Sequence, residues 1–167
     1  MPYGLGMTEA PWHHRYRVVI DVAVAVGFVL LDTGTTLAGG SWWPQRPDTL
    51  AWVLLGVQAL ACSSLVLRRR APLTVVIVLG LFTLAVTLLI APAHALTPAS
   101  GDNVWAPFAT VVAAYGPSFH GRDRRIAYVA LGLLTFVVAR PWELSATIIT
   151  LAVLRTAVGP LLASYLD

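Results

Sequence analysis

Arg68-Arg69-Arg70-Ala71-Pro72-Leu73-Thr74-Val75-Val76-Ile77-Val78-Leu79-Gly80-Leu81-Phe82-Thr83-Leu84-Ala85-Val86-Thr87-Leu88-Leu89-Ile90 decides the fold: three arginines, then 20 residues without a charge. A run of that length suits a helix crossing a hydrocarbon core about 30 Å thick. Inside lipid every backbone N–H and C=O needs an internal partner, so the run reads as a helix. Pro72 falls in its first turn, where a missing N–H costs nothing. The arginines mark where that helix meets water.

The same pattern recurs on both sides. Of the 167 residues, 57% are hydrophobic and 11% charged, whereas soluble domains are closer to half and a quarter. The excess falls into runs that read as spans at about 18–38, 49–67, 71–90, 104–119, 126–139 and 146–165. The expected fold is therefore an all-α, polytopic bundle of about six transmembrane helices. Residues 1–17 read as a polar tail ending in the basic, aromatic anchor Trp12-His13-His14-Arg15-Tyr16-Arg17. The first run is too long for a secretory signal and holds Asp21 and Asp32, so Thr36-Leu37-Ala38 only mimics a cleavage site. The fifth run is the short one. Its uncharged core of about 14 residues reaches about 21 Å, so Arg125 and Arg140 are expected to snorkel to opposite surfaces.

Basic side chains orient the bundle. All 11 are arginines, which, with the abundance of Ala, Val, Leu and Gly, points to a GC-rich bacterial genome. Arg15, Arg17, Arg68, Arg69, Arg70, Arg122, Arg124 and Arg125 fall on one side, and Arg46 and Arg140 on the other. Positive residues stay inside, so both termini are expected in the cytoplasm of a bacterial cell, at its plasma membrane. Trp42, Trp43, Trp105 and Trp142 would form an aromatic belt at the outer surface. The basic pI of about 9.5 comes from these clusters and gives no reason to expect a nucleic-acid partner.

No enzyme constellation is legible: no zinc-ligand spacing, no phosphate-binding Gly-rich loop, no Gly-x-Ser-x-Gly elbow. No catalytic residue, metal ligand or cofactor is expected. His13, His14, His94 and His120 fall near expected membrane surfaces, and Cys62 reads as a small apolar packing residue. Gln58 and the Ala59-x-x-x-Ser63 spacing suggest a packing face on the second span. The informative residues are charges inside spans, which usually face protein or water. Asp21 lies a turn inside the inner surface, within reach of water or Arg17. Asp32 and Arg155 lie about 21 Å and about 17 Å above the inner boundary at 1.5 Å per residue, so a pair between the first and last helices would neutralise both. Pro117 and Pro160 are candidate hinges, since a proline inside a helix frees the carbonyl four residues earlier.

Three segments carry a resemblance. They are Leu67-Arg68-Arg69-Arg70-Ala71-Pro72-Leu73, the exit Val111-Val112-Ala113-Ala114-Tyr115-Gly116-Pro117 running into Gly121-Arg122-Asp123-Arg124-Arg125, and Leu154-Arg155-Thr156-Ala157-Val158-Gly159-Pro160-Leu161-Leu162. Together they resemble the N-terminal membrane (sensor) domain of actinobacterial sensor histidine kinases of the NarL-partner type. The resemblance implies a membrane sensory or anchoring module in a two-component system, a homodimer, and kinase domains in cis or a kinase and response-regulator system in trans. The catalytic kinase region of that family has no counterpart in the sequence up to Asp167. The alternative is a small stand-alone membrane protein, a transporter subunit or a structural partner.

The arginine asymmetry and an even number of spans predict that a reporter fused after Asp167 is active in the cytoplasm. Activity only outside the cell refutes the expected topology.

Overall fold

The computed structural model describes residues 12–91, 93–99, 104–120, 124–141 and 145–166, with side chains at all of these except 12–15, 116–120, 124, 159–160, 162–164 and 166. Six α-helices follow in order: α1 Trp12–Leu37, α2 Thr49–Ser63, α3 Pro72–Ile90, α4 Ala109–His120, α5 Arg124–Ala139 and α6 Ala146–Leu166. A 3-10 turn, Ser64–Leu67, extends α2. Three helices are long and apolar enough to cross a membrane, at Tyr16–Leu37, Thr49–Leu67 and Pro72–Ile90, while Arg125–Ala139 and Ala146–Val158 are shorter apolar helices. The expected tail is partly helical, because α1 already begins at Trp12. Residues 1–11 lie outside the described residues.

Local chemistry sets most of the boundaries. Asp48 caps α2, its carboxylate accepting from the Ala51 N–H at 2.9 Å. Pro72 opens α3, as its position predicts. At the far end of α2, the hydroxyls of Ser63 and Ser64 donate to the carbonyls of Leu60 and Ala61, both at 2.6 Å. Such back-bonding competes with the helical ladder, and the chain tightens into the 3-10 turn there. Buried threonines satisfy themselves the same way. Thr83 donates to Leu79 O and Thr87 to Thr83 O, each at 2.8 Å, so α3 carries hydroxyls through the core without stranding one.

The shortest helix, α4, holds the central position, packing against α1, α3, α5 and α6, most extensively against α6. Ala109, Ala113, Ala114 and, on α6, Ala152 are all buried, and small residues let helix backbones approach closely. Around them pack Leu65, Val75, Leu79, Phe82 and Val86. The packing face of α2 is Ala51, Leu54, Leu55, Gln58, Ala61 and Cys62. That corrects the Ala59-x-x-x-Ser63 expectation: Ser63 is exposed, because the face recurs at 3–4 residue steps from Gln58.

The two ends of the bundle differ. At one, residues 38–48 meet residues 93–99: Ala99 N–H donates to Trp43 O at 2.9 Å, and Pro44 and Pro98 form an isolated antiparallel bridge. Trp42 is fully buried there, with ring centroids 5.7 Å from Trp43 and 6.4 Å from Phe82. Trp43 and Trp105 are also buried, so these three pack the loop end from within instead of forming a surface belt. Trp142 lies outside the described residues. At the other end Asp21 binds the start of the Arg68–Arg70 turn. Arg68 donates to Asp21 Oδ1 from Nε at 3.0 Å and from Nη2 at 2.7 Å, and Arg69 Nε lies 3.0 Å from both carboxylate oxygens. Asp21 therefore pairs with Arg68 and Arg69, and not with Arg17.

Leu79 and Leu81 separate core from exterior on one helix, being 0% and 60% exposed. Leu79→Ala should lower stability in detergent by about 2–5 kcal/mol, the usual cost of a large-to-small change in a packed core. Leu81→Ala should change it by less than about 0.5 kcal/mol, as surface substitutions do. Equal losses from the two refute this facing.

Candidate functional site

One turn of α1 and one of α2 supply most of the site. Asp32 and Thr36 are four residues apart on α1, and Gln58 and Cys62 four apart on α2, so each pair shares a helix face. The helices run antiparallel, which sets Asp32 opposite Cys62 and Thr36 opposite Gln58. The Cys62 thiol donates to Asp32 Oδ2 at 3.4 Å, and Gln58 Nε2 donates to Thr36 Oγ1 at 3.0 Å. Gln58 Nε2 also donates to the Asp32 carbonyl at 3.1 Å, and Gln58 Oε1 accepts from Trp42 Nε1 at 2.6 Å. Both ends of this buried amide are thus satisfied, as an interior amide requires.

The Asp32 carboxylate has a second role. Its Oδ1 accepts from the Phe108 N–H at 2.5 Å and its Oδ2 from the Ala109 N–H at 3.0 Å. These N–H groups stand at the beginning of α4, where a helix has no partners of its own and carries partial positive charge. A side chain on α1 therefore caps a helix that starts 77 residues later. The fourth span was expected from about 104, but helix begins only at Ala109. Pro107 lacks an N–H, and Asp32 binds the next two donors in its place.

Residues 104–107 before the helix are buried and irregular, and side chains from three parts of the chain hold them. Ser41 Oγ donates to the carbonyls of Val104 and Trp105 at 3.4 and 3.3 Å. Arg155, from α6, donates from Nη1 to the Ala106 carbonyl at 2.9 Å, and its guanidinium carbon lies 4.2 Å from the Phe108 ring centroid. The guanidinium carbon of Arg140 lies 3.4 Å from the Trp105 ring centroid, an arrangement that favours a cation. Arg140 is buried and has a φ of 45°. The chain turns back at the end of α5, so this arginine folds onto Trp105 and does not snorkel outward as expected.

Asp32 and Arg155 thus converge, but on a shared turn. Among the described residues the ion pairs within 4.0 Å are Asp21 with Arg68 and with Arg69, and Asp32–Arg155 is not one of them. Their charges act on each other across the turn. The carboxylate takes the N–H groups at 108 and 109 and the guanidinium takes the carbonyl at 106, so each charge is partnered by backbone of the same turn. Pro117 and Pro160 fall within α4 and α6, with side chains outside the described residues. His94 is exposed; the side chains of His13, His14 and His120 lie outside the described residues. No group of three potential metal-ligating side chains occurs among the described residues.

Cys62 and Ser41 were missed as functional partners. The four-residue step from Gln58 to Cys62 was legible, but that Asp32 faced it was not. Nothing in the sequence marked Ser41.

The cap predicts an order of stabilities. Asp32→Ala, which removes both acceptors, should lower detergent stability by about 1.5–3 kcal/mol, the usual value for hydrogen bonds to a charged group. Asp32→Asn should lose less, because its amide oxygen still accepts one N–H. Arg155→Gln combined with Asp32→Ala should cost less than the sum of the single changes, since both hold one turn. Strict additivity, or an Asp32→Ala variant as stable as the parent, refutes the shared clamp. The chain matches no protein-family model, no curated protein and no solved structure, so its function is read from this geometry.

Proposed function

We propose that the chain is a multi-pass membrane module with six transmembrane helices and both termini in the bacterial cytoplasm, serving as the sensory or anchoring part of a two-component histidine kinase system. The observation that carries the reading is the shared hold of Asp32 on α1 and Arg155 on α6 on the Ala106–Ala109 turn. A displacement of the loops at that end, or of the tryptophans packed beneath them, moves the 106–109 turn. The turn in turn biases α6, which runs from the clamp to Leu166. A module that reports outside conditions to the cytoplasm needs that kind of mechanical link between elements with two arrangements. The resemblance of the Leu67–Leu73, Val111–Arg125 and Leu154–Leu162 segments to sensor-kinase membrane domains supports the same reading. The partners are then the bilayer, a second copy of the chain, and kinase domains in cis or a kinase and response regulator in trans. The loops are short, so the stimulus acts within the bilayer or at its surface.

A stand-alone transporter subunit has one observation in its favour, the N-terminus of α4 recessed inside the bundle. Transporters point such half-helix ends at anionic substrates. Here Asp32 already occupies that end, which leaves no donor open for a substrate and favours the signalling reading.

The test joins the chain through α6 to the dimerisation and catalytic half of a histidine kinase, in several helical registers, in lipid vesicles. Asp32→Asn and Arg155→Gln should each change autophosphorylation about fivefold or more in at least one register, the low end of ordinary coupling between sites. Leu81→Ala should leave it unchanged. An active kinase half that ignores both substitutions in every register refutes the signalling reading and favours a stand-alone membrane protein.

A further inference from the structure

At the end of the bundle opposite the clamp, Arg17, Val18, Asp21, Val66, Leu67, Arg69 and Arg70 line a cleft of about 390 Å³. Its charge is unbalanced, with three guanidiniums facing one carboxylate. That carboxylate is already engaged, because Asp21 is buried and holds Arg68 and Arg69. Arg17 precedes Asp21 by one helical turn, where an i, i+4 pair forms readily, yet the Arg68–Arg69 pair takes both carboxylate oxygens. Arg17 and Arg70 line the cleft, and among the described residues neither guanidinium makes a hydrogen bond or ion pair. Asp21 fixes one wall, and the two uncommitted guanidiniums form the rest of a basic concavity.

The remaining wall is aliphatic. Val18, Val66 and Leu67 are 45%, 37% and 43% exposed, on the outward faces of α1 and the 3-10 turn. Each is continuous with the apolar exterior of a helix long enough to cross a membrane. Guanidiniums bind phosphate oxygens bidentately, and basic pockets between membrane helices at the surface take lipid headgroups. A free phosphate would use the arginines and gain nothing from the valines and leucine. A phospholipid uses both, with its phosphate between Arg17 and Arg70 and its acyl chains along Val18, Val66 and Leu67. We infer that this cleft is a binding site for the phosphate headgroup of an anionic phospholipid, tying α1 to the α2–α3 turn at the membrane surface. The inference rests on the membrane reading above and deepens it, by giving the bilayer a specific point of attachment.

The test uses the full chain purified in a neutral detergent, with phosphatidylglycerol or phosphatidylcholine added, and counts lipids retained by native mass spectrometry. Phosphatidylglycerol should be retained about tenfold over phosphatidylcholine, in keeping with favourable contributions from two arginines at a surface. The double variant Arg17→Gln/Arg70→Gln should fall to the phosphatidylcholine level. Arg17→Lys/Arg70→Lys should keep part of the preference, and Arg46→Gln, at the opposite end, all of it. Neither arginine belongs to the Asp21 clip, so unchanged helix content is expected and is checked by circular dichroism. Equal retention of the two lipids, or an undiminished preference in Arg17→Gln/Arg70→Gln, overturns the site. Displacement of phosphatidylglycerol by millimolar inorganic phosphate also overturns it, in favour of a free-anion site. Carbonate extraction of native membranes separates the two readings: a chain that washes off refutes the membrane reading, and one that stays without lipid preference refutes only this site.

Discussion

A helix that begins inside a bundle presents unpartnered N–H groups with no water to take them, and here the carboxylate of Asp32 meets them. Its two oxygens bind the N–H groups of Phe108 and Ala109, so α4 starts where α1 places that side chain. Because α4 packs against α1, α3, α5 and α6, fixing its first turn fixes the height at which those four helices meet it. The irregular segment before it is possible for the same reason. Non-helical backbone inside an apolar bundle persists only where protein groups replace water, and Ser41, Arg155 and Asp32 do so.

The polar groups behind the cap are arranged to keep Asp32 in one position. Gln58 reaches Thr36, the Asp32 carbonyl and Trp42, which links α1, α2 and the first loop in one network. Buried networks of this kind add specificity when every member is satisfied. A slip of α1 against α2 would break several of these bonds at once, whereas an apolar contact would tolerate it. The loop tryptophans belong to the same system, since Trp42 is both the fully buried core of the loop end and the donor that completes Gln58.

The opposite end uses charge differently. Asp21 gathers Arg68 and Arg69, fastening α1 to the turn between α2 and α3, and leaves Arg17 and Arg70 beside an aliphatic wall. One end of α1 is thus held by backbone donors and the other by arginines. The first helix is clamped top and bottom while most of its length faces outward.

The sequence by itself determined the helices. Uncharged runs bounded by arginines, Pro72 at a first turn and Asp48 before Thr49 place α2, α3, α5 and α6 close to where they lie, because helix formation in an apolar setting depends on local length and hydropathy. It also marked Asp32 and Arg155 as unusual, since a charge in an apolar run stands out in one dimension. What those charges touch was decided only by tertiary structure. Depth along a helix axis predicts that two side chains can meet, but it says nothing of which partners they take, and here both take backbone groups of the 106–109 turn. The late start of α4, the burial of Trp42, Trp43 and Trp105, the thiol of Cys62 on Asp32 and the stacking of Arg140 on Trp105 share that origin. The thiol contact joins residues 30 apart and the cap on α4 residues 77 apart. No local pattern encodes such a distance.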